Sequence, residues 1–260
     1  MKFKVIIPAR YDSSRFPGKV LKLIDGKTML EHVYDNAKNS QADDVFIATD
    51  SDIVYEAASK FTKNIYMTSN NNKNGTERVA ELSETLNWLS EDLVINLQAD
   101  MPELKFDNIN LLAKKAFNNR GLSTLYYNLV DTNLLKDKNT VKILVKDKNI
   151  NFYRYYDGDN IDGIFKHVGI YAYIVKDLIL YQALPQSINE KNLSLEQFRF
   201  LDNGFKISAY YASSNPGISI DSINNLNDIN GVNNWKKTKK LFFLWRTEVE
   251  KKSQILRFIN

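Results

Sequence analysis

The sequence predicts an α/β fold on a mostly parallel sheet, and three observations predict it. Apolar strand-like runs alternate with helical repeats through the first half of the chain. Several of these runs are continuous rather than alternating, as strands covered on both faces should be. The segments that follow them are polar and carry Gly or Pro, and they lie where such sheets bind ligands, beyond the carboxyl ends of the strands.

The elements follow in order. Phe3–Ala9 is an unbroken apolar run and reads as the first strand. Leu30, Val33, Tyr34 and Ala37 recur at helical spacing between Thr28 and Asn39. Asp44–Thr49 is a second buried strand, and Ile53, Ala57 and Phe61 suit a helix starting near Asp52. Ile65–Met67 is a short third strand, after which Thr76 is a candidate cap for a helix carrying Val79, Leu82 and Leu86. Leu93–Gln98 is the fourth strand, and Asp107–Asn118 the next helix. Strands alternating with helices of this length imply βαβ units. Further on, Val141–Val145, Gly169–Val175, Lys206–Ala212 and Gly217–Asp221 read as strands. Ser194–Leu201 reads as a helix, Asn151–Phe165 as a polar turn or hairpin, and the tail as helical.

Composition removes several chemistries. The 260 residues contain no cysteine and two histidines, His32 and His167. Thiolate nucleophiles, Cys-ligated zinc, disulfides and multi-histidine metal sites are therefore excluded. A balance of 35 Lys and Arg against 31 Asp and Glu, net +4, gives no argument for nucleic acid. No apolar run approaches the roughly 20 residues of a membrane span, and the N-terminus lacks a signal-peptide pattern, so a cytoplasmic protein with no membrane partner is expected.

The segment leaving the first strand is Ile7-Pro8-Ala9-Arg10-Tyr11-Asp12-Ser13-Ser14-Arg15-Phe16-Pro17-Gly18-Lys19. Arg10, Arg15 and Lys19 place three cations within ten residues, Ser13 and Ser14 add hydroxyls, and Gly18 permits close backbone approach. Cations and donors of this kind suit a triphosphate. The segment is not a Walker loop, because its G-x-x-x-x-G-K-[ST] pattern is absent. Three cations alone would fit a solvated loop better; the position after the first strand, with Pro17-Gly18-Lys19, favours phosphate. Asp100 and Asp221 each follow a strand-like run. A lone Asp there is commonly a helix cap, but two carboxylates with phosphates suit Mg²⁺.

Six segments together resemble the 3-deoxy-manno-octulosonate (Kdo) cytidylyltransferases. The first is the loop just described. Asn74-Gly75-Thr76-Glu77-Arg78, Asn96-Leu97-Gln98-Ala99-Asp100 with Pro102, and Lys166-His167-Val168-Gly169-Ile170-Tyr171-Ala172-Tyr173 follow it in the family's order and spacing. Leu195-Glu196-Gln197 with Phe198-Arg199, and Ser219-Ile220-Asp221, complete the set, so the resemblance runs from Lys4 to about Asp228.

The resemblance implies a Rossmann-like, mostly parallel sheet of the nucleotide-diphospho-sugar transferase type, with a smaller sugar-binding and dimerisation subdomain. It implies one domain over 1–260, with 1–130 mainly binding CTP, 131–222 mainly binding sugar and forming a homodimer, and 223–260 a helical tail. The implied reaction joins CMP from CTP to an acidic octulosonate, on the way to lipopolysaccharide or capsule. The implied CTP contacts are Ala9, Arg10, Ser13, Arg15, Gly18, Lys19, Gly75, Thr76, Arg78 and Gln98. The implied sugar contacts are Gln98, His167, Tyr171, Glu196 and Gln197. Asp100 and Asp221 would hold Mg²⁺, and Lys19, Arg10 and Asp100 would carry catalysis. A lone His beside an apolar strand is otherwise more often a core residue.

Departures fall toward the sugar side. Ala99 stands where the family usually has Gly, Met101 where an acidic residue is frequent, and Asn151–Phe165 is shortened and altered. The 8-amino form of Kdo, or another acidic sugar, is therefore a close alternative substrate. Asp50-Ser51-Asp52 and Asp157-Gly158-Asp159 have the Asp-x-Asp spacing of nucleotide-sugar glycosyltransferases, which keeps that class open, as does an inactive nucleotide-binding homologue.

Overall fold

The computed structural model describes residues 1–13, 16–117, 119–129, 131–147 and 149–231. The first half runs β1 (Lys4–Ala9), a small hairpin β2 (Leu23–Ile24) and β3 (Lys27–Thr28), α1 (Met29–Lys38), β4 (Asp44–Thr49), α2 (Asp52–Ala58), β5 (Ile65–Met67), α3 (Gly75–Thr85), β6 (Leu93–Leu97) and α4 (Phe106–Ala116). The second half runs β7 (Leu122–Tyr127), β8 (Lys142–Lys146), β9 (Asn149–Tyr153), β10 (Ile164–Ile174), α5 (Val175–Ala183), α6 (Ile188–Leu193), α7 (Phe198–Asp202) and β11 (Ile207–Tyr211).

Helix starts are fixed by side chains that satisfy otherwise unpaired N–H groups. Thr28 accepts from Glu31 N, Ser51 from Val54 N and Asn74 from Glu77 N. Asn74, not Thr76, is thus the cap of α3; Thr76 is two residues too deep, and its hydroxyl turns inward to Tyr173.

The main sheet has the order β11-β7-β10-β6-β1-β4-β5, with β8 and β9 extending from β10. β1 is parallel to β4 and β6, β4 to β5, and β7 to β11. β10 alone along this path is antiparallel to its neighbours β6 and β7. Strand alternation sends Val5 and Ile7 toward Leu30, Val33 and Leu112 on one face, and Ile6 toward Val79, Leu82 and Leu178 on the other. The result is a three-layer α/β/α arrangement, which matches the predicted class.

Three expected elements differ. Ser194–Leu201 is not one helix: α6 ends at Ser194 in a left-handed conformation (φ 50°), and α7 starts afresh at Phe198. Gly217–Asp221 pairs with no strand; it is an extended strap held by side chains and described below. Part of Asn151–Phe165 is strand, because Asn149–Tyr153 pairs with β8. In the tail, residues 223–231 are helical, and the expectation for 232–260 lies outside the described residues. Among the described residues no helix is long and apolar enough to cross a membrane.

Candidate active site

Because β1, β4 and β6 run in parallel, their carboxyl ends share one edge of the sheet. β10 runs the other way and meets β6 with Ile170 opposite Leu97. Its earlier residues, His167 to Gly169, therefore project past the end of β6 toward Gln98 and Asp100. Antiparallel insertion thus brings a second-half strand to the edge where the first-half loops emerge.

The chain leaves β1 through the buried Ala9 and the half-buried Arg10 and Ser13. Ser14 and Arg15, the latter an expected CTP contact, lie outside the described residues. Gly18 donates its N–H to Tyr11 O at 2.8 Å, which folds the loop back and brings Lys19 to the sheet edge. Lys19 Nζ donates to Asp100 Oδ2 at 2.6 Å, Ile220 O at 3.2 Å and Asp221 Oδ1 at 3.3 Å. Burial pulls its pKa down, but Asp100 and then Asp221 more than offset this, so the ammonium sits above its ordinary 10.5 and stays charged at any working pH.

Asp221 is carried to Lys19 by the strap. Lys166 Nζ donates to Gly217 O at 2.8 Å, Ile218 N to Glu103 Oε2 at 3.3 Å, and Ile220 N to Asp100 O at 2.9 Å. Gly217 has φ +74°, and a Cβ there would stand 2.4 Å from Glu103 Cβ, so only glycine fits. The two carboxylates sharing one ammonium make a cation site of hard oxygens. Mg²⁺ commonly takes one or two carboxylates and completes its shell with phosphate and water, so Asp100 and Asp221 fit it. Among the described residues no cluster of three His, Cys, Asp or Glu offers an all-protein cage.

Beside this pair opens a cavity of about 640 Å³, lined among others by Gln98, Asp100, His167, Tyr171, Glu196, Gln197 and Asp221. Every expected sugar residue therefore lines one cavity. Gln98 Nε2 donates to Asn96 Oδ1 at 3.1 Å, and Gly75 packs so closely that a Cβ there would lie 3.2 Å from Gln98 Nε2. Thr76 N donates to Glu196 Oε2 at 3.1 Å, joining the expected nucleotide loop to the expected sugar wall. Burial raises the Glu196 carboxyl above its ordinary range, with the Thr76 N–H opposing. Gln197 Oε1 accepts from Tyr171 OH at 3.2 Å, while its Nε2, buried, has no partner among the described residues. An unpaired buried donor in a cavity wall is what a ligand acceptor would satisfy.

His167 is buried against Phe152 and 2.9 Å from Thr124 Oγ1 through Nε2. The single Thr124 proton has a carbonyl acceptor, Ile170 O, at 2.8 Å. Nε2 must then carry hydrogen and donate to Thr124, which leaves Nδ1 as an acceptor. Burial, aided by Arg154, lowers the ring to about 3, so it is neutral above pH 5. The His167 ring thus carries no positive charge and offers Nδ1 as an acceptor. Replacing it by Gln should raise the sugar KM by about tenfold and leave the acid limb of the pH–rate profile in place; a lost limb near neutrality would refute the neutral assignment.

Arg78 does not line the cavity. Its guanidinium is fully buried and is committed to Asp50 Oδ2 at 2.5 Å and to Thr68 Oγ1, clamping α3 to the ends of β4 and β5. The same contact answers the reading of Asp50-Ser51-Asp52 as an Asp-x-Asp site, since Asp50 is taken by Arg78 and Ser51 caps α2. Ala99 and Met101, where the sequence departs from the family pattern, are both buried in the apolar core, and Met101 also lines the cavity.

Residue-level reasoning missed several groups. Thr124, on the unpredicted β7, orients His167. Lys142 is wholly buried and donates to Asp137 O, Thr140 O and Arg154 O at 2.8, 2.7 and 2.5 Å, fixing a loop that lines the cavity, while burial lowers its pKa to about 8. Arg154 donates to Leu193 O and Ser194 O at 2.8 and 2.7 Å, just before Glu196. Alternating hydropathy signals none of these, because polar residues on strands ordinarily face water.

Cationic loop, carboxylate pair and adjoining polar cavity on a mostly parallel sheet together define a nucleotidyltransferase. Comparisons with known proteins narrow the class. The cytidylyltransferase family model matches residues 4–207. The chain is 38% identical over 239 residues to a 3-deoxy-manno-octulosonate cytidylyltransferase of Pseudoalteromonas atlantica, covering 85% of this chain and 94% of the relative. It is 41% identical over 216 residues to one of Fusobacterium nucleatum, covering 80% and 87%. A solved structure of CMP:2-keto-3-deoxy-manno-octonic acid synthetase complexed with CTP superposes with TM-score 0.81 at 31% identity, covering 91% of this chain and all of that one. A 4-diphosphocytidyl-2C-methyl-D-erythritol synthase from Anaerococcus prevotii, at TM-score 0.58 and 18% identity, shares the fold. The chain belongs to the 3-deoxy-manno-octulosonate cytidylyltransferase family.

Proposed function

We propose that the chain transfers CMP from CTP to Kdo, forming CMP-Kdo and pyrophosphate. The observation that carries this reading is Lys19 held between Asp100 and Asp221 at the mouth of a cavity lined by all the expected sugar residues. The relatives' names and the CTP complex of the related synthetase support the substrate pair.

In this reading the sugar lies in the cavity with a hydroxyl donated to His167 Nδ1 and an oxygen accepting from Gln197 Nε2. Gln98 stands between the sugar and the nucleotide. The anomeric oxygen attacks the α-phosphorus, the bond to the bridging oxygen breaks, pyrophosphate leaves with the electron pair, and the hydroxyl proton passes to solvent. Lys19 and Arg10 offset charge gathering on the α-phosphate and the leaving group. Mg²⁺, held by Asp100 and Asp221, would supply Lewis-acid neutralisation of the phosphates. Ala9, Gly18, Gly75 and Thr76 border the nucleotide, and Arg78 acts by holding that border together. A cytoplasmic homodimer, with 131–222 forming most of its sugar side and contact, belongs to the same proposal; light scattering tests the dimer.

The decisive experiment is pyrophosphate release by the purified protein from CTP and Mg²⁺, with Kdo, with 8-amino-Kdo and without sugar. Kdo-dependent release establishes the reaction. Release only with the amino sugar moves the assignment to that substrate, and release with neither removes it.

A further inference from the structure

Between the nucleotide loop and the sugar wall lies a buried charge cluster that the reaction itself does not use. Arg199, on α7, is 2% exposed. Its Nε and Nη2 grip Glu190 Oε2 and Oε1 at 2.8 and 2.6 Å, and Nη2 also donates to Glu77 Oε1 at 2.8 Å. The guanidinium stacks over Tyr181 at 4.2 Å. Three elements distant in sequence thus meet on one side chain: the first turn of α3, the end of α5 and the body of α6.

The partners of Arg199 lead to both sides of the site. Glu77 follows Thr76 directly, and its other oxygen accepts from Lys73 N at 2.7 Å, completing the cap of α3. Asn74 Nδ2 donates to Tyr181 OH at 2.8 Å and to Glu190 Oε1 at 3.3 Å. Tyr181 OH in turn donates to Glu196 O at 3.4 Å. Glu196 and Gln197 lie just ahead of Arg199 in sequence, and Glu196 closes the circuit by accepting from Thr76 N. One cation between two carboxylates, with every donor aimed, holds a single geometry well; a buried network of this kind is costly to break and specific when complete.

We infer that Arg199 is a positioning residue that locks Asn74–Arg78 and Glu196–Gln197 into one unit, so that ordering the nucleotide loop also orders the sugar wall. The assignment of those two segments to nucleotide and sugar rests on the proposed function; the mechanical coupling rests on the contacts alone. Binding of either substrate then favours the other, since the second finds its half already ordered.

The test uses Glu77→Gln and Arg199→Lys in the full chain. Glu77→Gln leaves Asn74 and Thr76 in place and severs the loop from the hub. Arg199→Lys keeps the charge and loses the fork. Arg199→Met is unsuitable, because two buried carboxylates without a cation would endanger folding. The first readout is hydrogen exchange of the free protein. Amides of 194–199 should exchange about tenfold faster in Glu77→Gln, although the substitution lies on the other side, and amides of 74–78 about tenfold faster in Arg199→Lys. Loosening confined to the segment that carries each substitution overturns the coupling. The second readout is kinetic. Both variants should raise the sugar KM about tenfold, with turnover at saturation within about threefold, and the double variant should resemble either single one. A Glu77→Gln variant that alters only the CTP KM also overturns it. If the unaltered protein shows no Kdo-dependent release, the functional reading falls, and hydrogen exchange still decides the coupling.

Discussion

Replacing Lys19 by Ala should lower kcat about 10²- to 10³-fold, the scale seen when one preorganised electrostatic donor is removed from a site of charge development. Lys19 is the one cation whose Nζ touches both carboxylates of the site among the described residues. Its pKa lies above the ordinary 10.5 because Asp100 and Asp221 outweigh burial. A raised lysine contributes its stabilisation in full below 10.5, and that contribution is lost only as pH climbs through the raised value. No limb of the pH–rate profile near neutrality should therefore belong to it. Stability should fall as well, because Asp100 and Asp221, both mostly buried, lose the cation they share, but by far less than turnover. A second consequence runs the other way. Without the ammonium, Asp100 and Asp221 lose a cation that competes for them, so Mn²⁺ binding to the nucleotide-free protein should tighten even as turnover collapses. Pyrophosphate release, thermal melting and Mn²⁺ titration by electron paramagnetic resonance check the three parts. Turnover within threefold of the unaltered protein would remove Lys19 from the mechanism.

How far this site is legible in the sequence depends on which physical signal each part leaves. Phe3–Ala9 and Leu93–Gln98 are legible because strands buried on both faces read as apolar runs, and the ligand edge follows from their direction. Leu122–Tyr127 is not, since Ser123 and Thr124 look like loop residues; they are buried because Thr124 serves His167 and two carbonyls. Gly217–Asp221 has the look of a strand but finds no sheet partner, because Lys166, Glu103 and the Asp100 carbonyl hold it instead. Asp221 thus reaches Lys19 by side-chain anchoring, which no local pattern encodes. The direction of β10 is equally silent, as apolar content is the same for either orientation. Charged residues on short helices read as solvent-facing, and that hides Glu77, Glu190 and Arg199. The loop cations and both aspartates are legible as a set only through their resemblance to a family; singly, each has a commoner structural use.

Asp100→Asn should be the more damaging of the two carboxylate substitutions. Asp100 lies 2.6 Å from Lys19 Nζ against 3.3 Å for Asp221, and its own carbonyl accepts from Ile220 N, so it anchors the strap as well as the cation. The amide keeps that backbone contact and the side-chain shape while removing the charge. Two effects combine in it. The proposed Mg²⁺ site falls from two carboxylates to one, and Lys19 keeps only its longer ion pair. Turnover should fall about 10³-fold for Asp100→Asn and about 10²-fold for Asp221→Asn, with the Mg²⁺ concentration for half-maximal rate raised about tenfold or more in both. CTP binding measured without metal should change far less, because the cationic loop is intact. Equal losses in the two variants would mean that distance to Lys19 does not rank them. An unchanged Mg²⁺ dependence in Asp100→Asn would place the metal elsewhere and leave Asp100 as a partner of Lys19 alone.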